Sequence, residues 1–314
     1  MDYLIAAAGL VLLVFGGDVL VRGSVAMALR LHVSPLMIGL TVVAFGTSAP
    51  ELVVSLDAAV IKNAPSMSLG NVVGSNIANV LLVLGVPAMF CSISCAATSL
   101  KRDMMVMIVS TFVFIGLCLF GVLTFWSGLI LFSILLGSMI HAARTARHNA
   151  QVIAEELQEL DADALSEQKL RTSIMLIVGG LIGLCVGAHM LVVGAIEVAR
   201  SLGVSEAAIG LTMVAIGTSL PELATAVAAA IRKHCDVAIG NVIGSNLFNL
   251  LGIMGITAMV TDVPVPREFI TVNLWVMLAT TLMLIPVGIM RTPINRLTGF
   301  VFLASYVAYI TWVL

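Results

Sequence analysis

Apolar runs broken by short polar stretches fill the chain, near residues 3–28, 34–60, 68–91, 104–122, 124–143, 173–199, 206–230, 237–259, 269–290 and 296–313. A helix needs roughly 20 apolar residues to cross the hydrocarbon core of a bilayer. The pattern therefore predicts an all-α membrane protein with ten transmembrane helices. Five runs precede the polar stretch from Arg144 to Arg171 and five follow it. Because five is odd, a second copy of the first half must enter the membrane from the opposite side. The expected organisation is thus two inverted five-helix repeats, residues 1–144 and 172–314, joined by an acidic linker at 145–171.

Positive charge tests that count independently, because Lys and Arg concentrate in cytoplasmic loops. Arg30, Lys101, Arg102, Arg144, Arg147, Lys169, Arg171, Arg232, Lys233, Arg291 and Arg296 fall after odd-numbered spans, whereas only Lys62, Arg200 and Arg267 fall after even-numbered ones. Both termini are therefore expected outside and the central loop in the cytoplasm. Arg22 lies within the first span, one helical turn from Asp18, and an i,i+4 ion pair between them is the expected arrangement. His189 holds the position in the second copy that Asp18 holds in the first, and reads as a packed or water-facing histidine.

Composition narrows the class further. With 60% hydrophobic and 10% charged residues and a mean hydropathy of +1.14, the chain cannot cover its apolar surface in water. The net charge of -2, with basic residues scattered over short loops, excludes an electrostatic nucleic-acid partner. The start, MDYLIAAAGL, reads as a retained first span, since it has an acid where a signal peptide has a basic region. Cys91, Cys95, Cys118, Cys185 and Cys235 lie in or beside apolar runs without metal-type spacing, and read as packing residues. In the linker, Glu155, Glu156, Glu159, Asp161, Asp163 and Glu167 alternate with Val152, Ile153, Leu157, Leu160 and Leu165, the pattern of a short amphipathic helix. It lacks an EF-hand pattern and is expected to be a plain connector.

Two long motifs occur twice. GLTVVAFGTSAPELVVSLDAAV (Gly39 to Val60) with GNVVGSNIANVLLVLG (Gly70 to Gly85) returns as GLTMVAIGTSLPELATAVAAA (Gly210 to Ala230) with GNVIGSNLFNLLGIMG (Gly240 to Gly255). Each copy of the first motif carries a proline, Pro50 or Pro221, which has no N–H to offer the carbonyl of Gly46 or Gly217, so each helix must kink or open there. Backbone carbonyls freed at membrane depth are tolerated where they line a wet cavity, and there they are cation ligands. Thr47, Ser48, Thr218 and Ser219 add hydroxyl oxygens, and Glu51 and Glu222 add two negative charges. Oxygen ligands without a His or Cys cluster favour hard cations, calcium or sodium.

A simpler role for the acids is helix capping, because Ser48 to Glu51 and Ser219 to Glu222 both fit the S-x-x-E capping box. A glutamine could cap as well, and a charge at membrane depth costs a few kcal/mol on insertion scales, so two glutamates favour a functional role. In the second motif, Gly70 and Gly74, and Gly240 and Gly244, give the small-xxx-small face on which membrane helices approach closely. The amides Asn71, Asn76, Asn79, Asn241, Asn246 and Asn249 are too many for apolar packing. Ser75 and Asn79, like Ser245 and Asn249, share one helical face and can complete an oxygen shell beside the glutamates.

These paired G-T-S-x-P-E and G-S-N-x-x-N elements resemble the alpha repeats of the calcium/cation antiporter superfamily, in its sodium/calcium exchanger branch with compact prokaryotic members. The resemblance covers both motif regions and, through span number and inversion, essentially the whole chain. It implies a ten-helix fold in which the second, third, seventh and eighth helices surround the ions, with Glu51 and Glu222 as central ligands. It further implies that Thr47, Ser48 and the Ala44 carbonyl assist in one half, and Thr218, Ser219 and the Ala215 carbonyl in the other. Ser75, Asn79, Ser245 and Asn249 would line the remaining positions. Many members have an aspartate where this chain has Asn249, so this site has two acids, not three. Stoichiometry and the counter-ion, sodium against proton or potassium, stay open on that account.

The implied activity is secondary active exchange of calcium for sodium across a bacterial inner (plasma) membrane by alternating access, with calcium/proton or potassium-linked exchange as the alternative. A sodium-coupled solute symporter fits less well, because acids follow both helix breaks, and a channel would need no counter-ion. Calcium, sodium or a proton, and the lipid bilayer are the expected partners, with no resident cofactor and no signal of oligomeric state. No nucleophile–base arrangement points to an enzyme.

Overall fold

The computed structural model describes residues 2–31, 33–94, 99–148, 169–202 and 217–313. Its helices are α1 (Asp2–Leu31), α2 (Pro35–Ile61), α3 (Pro65–Phe90), α4 (Leu100–Cys118), α5 (Phe125–His148), α6 (Leu170–Ser201), α7 (Leu220–Ile231), α8 (Cys235–Val260), α9 (Phe269–Ile289) and α10 (Arg296–Val313). Among the described residues, seven of these are long and apolar enough to cross a membrane: α1, α2, α3, α5, α6, α8 and α9. The shorter α4, α7 and α10 coincide with the other three apolar runs. The protein is an all-α, multi-pass membrane protein. The first part of the predicted seventh span, and the acidic stretch from Glu155 to Glu167, lie outside the described residues.

Local sequence explains several of the boundaries. Ser34 caps α2, its hydroxyl accepting from the Met37 amide at 3.3 Å, with Pro35 at the first helical position. Pro65 likewise stands at the start of α3, there without a side-chain cap. The connections carry a second set of signatures that the residue types conceal. Asn63 (φ 50°) and Lys233 (φ 61°) occupy matching positions in the turns before α3 and α8, and Gly121 (φ 85°) matches Arg291 (φ 54°). A left-handed backbone is easy for glycine, tolerated by asparagine and costly for lysine or arginine. The two halves therefore share backbone turns even where the side chains no longer suit them.

Loops also meet in matched pairs. The short strand β1 (Val122–Leu123), after α4, pairs antiparallel with β2 (Val263–Pro264), after α8, with Leu123 opposite Val263. Ile93, after α3, bridges Ile294, after α9. Each pairing joins loops that a strictly alternating ten-span chain puts on one face.

The longest helix contact is a glycine seam between α1 and α6. Gly9, Gly16 and Gly23 recur every seven residues on α1, and Gly180, Gly187 and Gly194 do so on α6. A Cβ on Gly9 would come within 2.5 Å of the Leu191 amide nitrogen, and one on Gly180 within 2.6 Å of that of Leu20. Gly16 faces Leu184 and Gly23 faces Ile177, so the two helices run antiparallel. Without a side chain in the way, backbones touch and dispersion forces replace a hydrophobic drive that lipid cannot supply. Of the second-motif glycines only the later pair does the same: a Cβ on Gly240 or Gly244 would collide with the carbonyl of Leu36 or Leu40 on α2. One on Gly70 would stand 3.7 Å from the Phe269 ring and one on Gly74 would meet nothing within 4 Å, so the expected close face at Gly70 and Gly74 is not formed.

One expectation fails here. Asp18 does not pair with Arg22; it binds Arg232, at the end of α7. Gly17 is the reason, since its missing side chain lets α1 lie against the Ala224 carbonyl of α7, with a Cβ at 2.9 Å if one were present. That contact carries the end of α7 to Asp18, while Arg22 stays exposed.

The seam yields a paired prediction. Gly180→Leu should lower the detergent melting temperature by several degrees, about 1–3 kcal/mol of overpacking, whereas Gly179→Leu, which meets nothing within 4 Å, should leave it unchanged. Thermal unfolding of the two purified variants checks this.

Candidate cation-binding site

Both repeated GTS-x-PE segments break their helices at the same residue. In α2, helix Ala44–Thr47 ends and Ala49–Leu56 restarts around Ser48 (φ -86°, ψ 5°). Ahead of α7, Ser219 takes φ -89° and ψ 4°. The missing proline N–H and the ring's crowding cause each break. Neither serine caps the new helix with its hydroxyl, so the capping-box reading is not realised. Instead, the Ser48 hydroxyl crosses to the other half and donates to Glu222 Oε1 at 3.1 Å.

The second motif places its amides through a different distortion. Helices α3 and α8 each widen into π-turns, at Asn79–Val83 and Phe248–Ile253. The π-turn of α3 packs against α7, and that of α8 against the second half of α2. A π-turn adds a residue to the helical turn and is frequent at functional sites; here Asn79 opens one and Asn249 is the second residue of the other.

The glutamates are fully enclosed, Glu51 at 1% and Glu222 at 0% exposure. The Glu222 carboxylate lies near enough for its charge to act on Glu51. Thr47, Ser48, Ser75, Asn79, Ser219, Ser245 and Asn249 are all buried as well. Glu51 Oε2, Glu222 Oε2, Asn79 Oδ1, Thr218 Oγ1, Ser219 Oγ, Ser245 Oγ and both polar atoms of the Asn249 side chain have no partner within the protein. They make up more than half of the unpartnered buried side-chain atoms among the described residues. Each such atom costs about 1–3 kcal/mol if nothing satisfies it, and a cation satisfies oxygens of this kind together.

The remaining predicted residues divide. The Ala44 carbonyl is engaged by the Ser48 amide at 3.0 Å and lies 3.4 Å from the Thr47 hydroxyl. Ala215 lies outside the described residues. Asn71 and Asn76 serve the backbone: the Asn71 side chain donates to the Glu51 carbonyl and the Ser55 hydroxyl, and Asn76 to the Val72 carbonyl. Asn241 and Asn246 tie the halves together, since Asn241 Oδ1 lies 3.3 Å from the Thr47 hydroxyl and Asn246 Oδ1 accepts from Asn79 at 3.0 Å.

Cys185 was missed, because a thiol in an apolar run gives no signal of its own. It lies on α6 within electrostatic reach of both glutamates. It also lines a groove with Pro50, Val54, His189, Thr218 and Pro221. Among the described residues no cluster of three or more His, Cys, Asp or Glu side chains comes together. The fixed negative charge in the described site is thus two carboxylates, with hydroxyl and amide oxygens around them, a donor set for hard cations.

Comparison with known proteins gives consistent results. A sequence profile of the sodium/calcium exchanger protein family matches residues 1–143 and 172–314. The putative antiporter CaxA of Alkalimonas amylolytica is 35% identical over 96% of this chain and 95% of its own length. The sodium/calcium exchanger MaX1 of Methanosarcina acetivorans is 32% identical over 99% of this chain and 97% of its own. Among solved structures, the sodium-calcium exchanger NCX_Mj, soaked with zero Na+ and Ca2+, superposes with a TM-score of 0.84 at 31% identity, covering 100% of this chain and 99% of that one.

The cross-repeat hydrogen bond is directly testable. Ser48→Ala removes a hydroxyl bound to Glu222 Oε1, and calcium affinity should fall about tenfold, as for loss of a hydrogen bond to a charged group. Isothermal titration of the purified protein reads this out.

Proposed function

The chain belongs to the sodium/calcium exchanger protein family, and on that premise we propose that it is a secondary active antiporter exchanging calcium for sodium across the inner membrane. The ions bind between Glu51 and Glu222. The observation that carries this reading is the cluster of unpartnered oxygens around two enclosed carboxylates. Two negative charges suit one calcium ion or about two sodium ions, so the two cargoes compete for one site and neither enters with the other.

The two halves, residues 1–144 and 172–314, form an inverted repeat, with the linker at 145–171 on the cytoplasmic side and both termini outside. Antiparallel packing of the equivalent helices α1 and α6 supports the inversion. So do the matched left-handed turns and the loop pairings. Transport follows by alternating access. A site with bare carboxylates resists passage through the low-dielectric middle of the bundle, because an uncompensated charge there is costly; a site neutralised by either cargo does not. Coupling comes from that difference alone.

Sodium is favoured over a proton as the driving ion because the hydroxyl and amide oxygens are a ligand shell that a proton has no use for. In proteoliposomes, a sodium gradient at clamped pH should drive calcium uptake, and Glu51→Gln or Glu222→Gln should reduce that uptake about a hundredfold or more, the worth of a charged ligand. Near-normal exchange in either variant, or uptake driven by a pH gradient without sodium, would sink the assignment.

A further inference from the structure

We propose that the ion pair between Asp18 and Arg232 is a latch that holds the protein in one of its two facing states, and that the other state has no equivalent latch. The proposal rests on the alternating-access reading and extends it to residues outside the ion site.

The two copies differ at the positions concerned. Counting from the matched motifs, Asp18 corresponds to His189, Arg232 to Lys62, Gly17 to Ala188 and Ala224 to Val53. In the first arrangement α1 is closed on α7: Gly17 lies against the Ala224 carbonyl, a Cβ there would stand 3.5 Å from that of Ala228, and Asp18 binds Arg232. In the equivalent arrangement, α6 stands off from the second half of α2. Ala188, His189 and Val192 on one side and Pro50 and Val54 on the other border a groove that reaches Thr218 and Pro221. Lys62 is turned away to Asp57 of its own helix, at 2.7 Å.

An inverted repeat reaches its second state when the halves exchange arrangements. Helix α6 then closes on α2 and α1 leaves α7, so the Asp18–Arg232 pair must break. The closure that replaces it brings His189 toward Lys62, and no carboxylate faces a guanidinium. Attraction in one state without a counterpart in the other shifts the balance toward the state with the groove open. The pair is about one-third exposed on each side, so its effect is a bias and not a lock.

Cys185 offers a readout that does not depend on transport, because it lines the same groove. Its conversion to a mixed disulfide by a charged, membrane-impermeant thiosulfonate, with sulfinate as the leaving group, can be followed by non-reducing peptide mass spectrometry in the otherwise native protein. Asp18→Asn should slow labelling roughly two- to fivefold, the range expected for a part-exposed pair. Asp18→Arg combined with Arg232→Asp should restore the native rate. In parallel, the calcium KM of Asp18→Asn should rise at the groove face and fall at the Arg232 face, opposite movements that a merely structural defect would not give. Equal labelling of the native protein and Asp18→Asn, or KM values that move together, overturns the latch. A labelling contrast that persists in a protein carrying no calcium flux supports the latch and counts against the antiporter reading instead.

Discussion

Two carboxylates enclosed in the middle of a membrane bundle, each within reach of the other's charge, are the constraint on which the rest of this structure depends. Water cannot screen them, and no basic side chain among the described residues is paired with either one. Buried hydroxyls and amides of α2, α3, α8 and the turn before α7 accompany them, and the bond from Ser48 to Glu222 spans the two halves. Such a centre is costly as packing, because buried polar atoms without partners are unfavourable, and its oxygens are of the kind that hard cations take.

The backbone makes room for that centre by two distortions of opposite kind. Proline opens the helices at Ser48 and Ser219, giving sharp breaks with nearly identical dihedral angles. The π-turns at Asn79–Val83 and Phe248–Ile253 widen the opposing helices without breaking them. Away from the centre the opposite requirement holds, and helices approach until backbones touch. The seven-residue glycine spacing of α1 and α6 brings the two backbones into direct contact. The same two helices carry Asp18 and Cys185, one in an ion pair with α7 and the other in the groove beside the glutamates. This helix pair meets the core with contacts of unequal tightness, α1 closed on α7 and α6 bordering a groove.

Duplication and divergence act at different levels in this chain. Around Glu51 and Glu222 both copies retain the same hydroxyl, amide and carboxylate residues. The turns retain the backbone while replacing Asn63 by Lys233 and Gly121 by Arg291. Helix faces outside the site have separated furthest, with an acid in one copy and a histidine in the other at the Asp18 position. The copies thus agree around the two glutamates and differ on the helix faces away from them.

Much of the fold was legible without coordinates, because membrane insertion imposes a length and a polarity on every span and a charge bias on every loop. The apolar runs coincide with the described helices, and the repeated motifs point to Glu51, Glu222 and their hydroxyl and amide neighbours, since burying charge twice at one position has few explanations other than binding. Local pattern could not say which oxygens would remain free. Whether Ser48 caps its own helix or crosses to Glu222, whether Asn246 braces Asn79, and whether Asp18 turns to Arg22 or to Arg232 depend on which helix arrives beside each residue. For Asp18 that is decided by Gly17, through an approach to α7 that the spacing of α1 does not record. The sequence by itself determined which apolar runs carry charge and how many such runs there are; only the tertiary structure decided which partners those charges meet, because the partners lie more than 170 residues away along the chain.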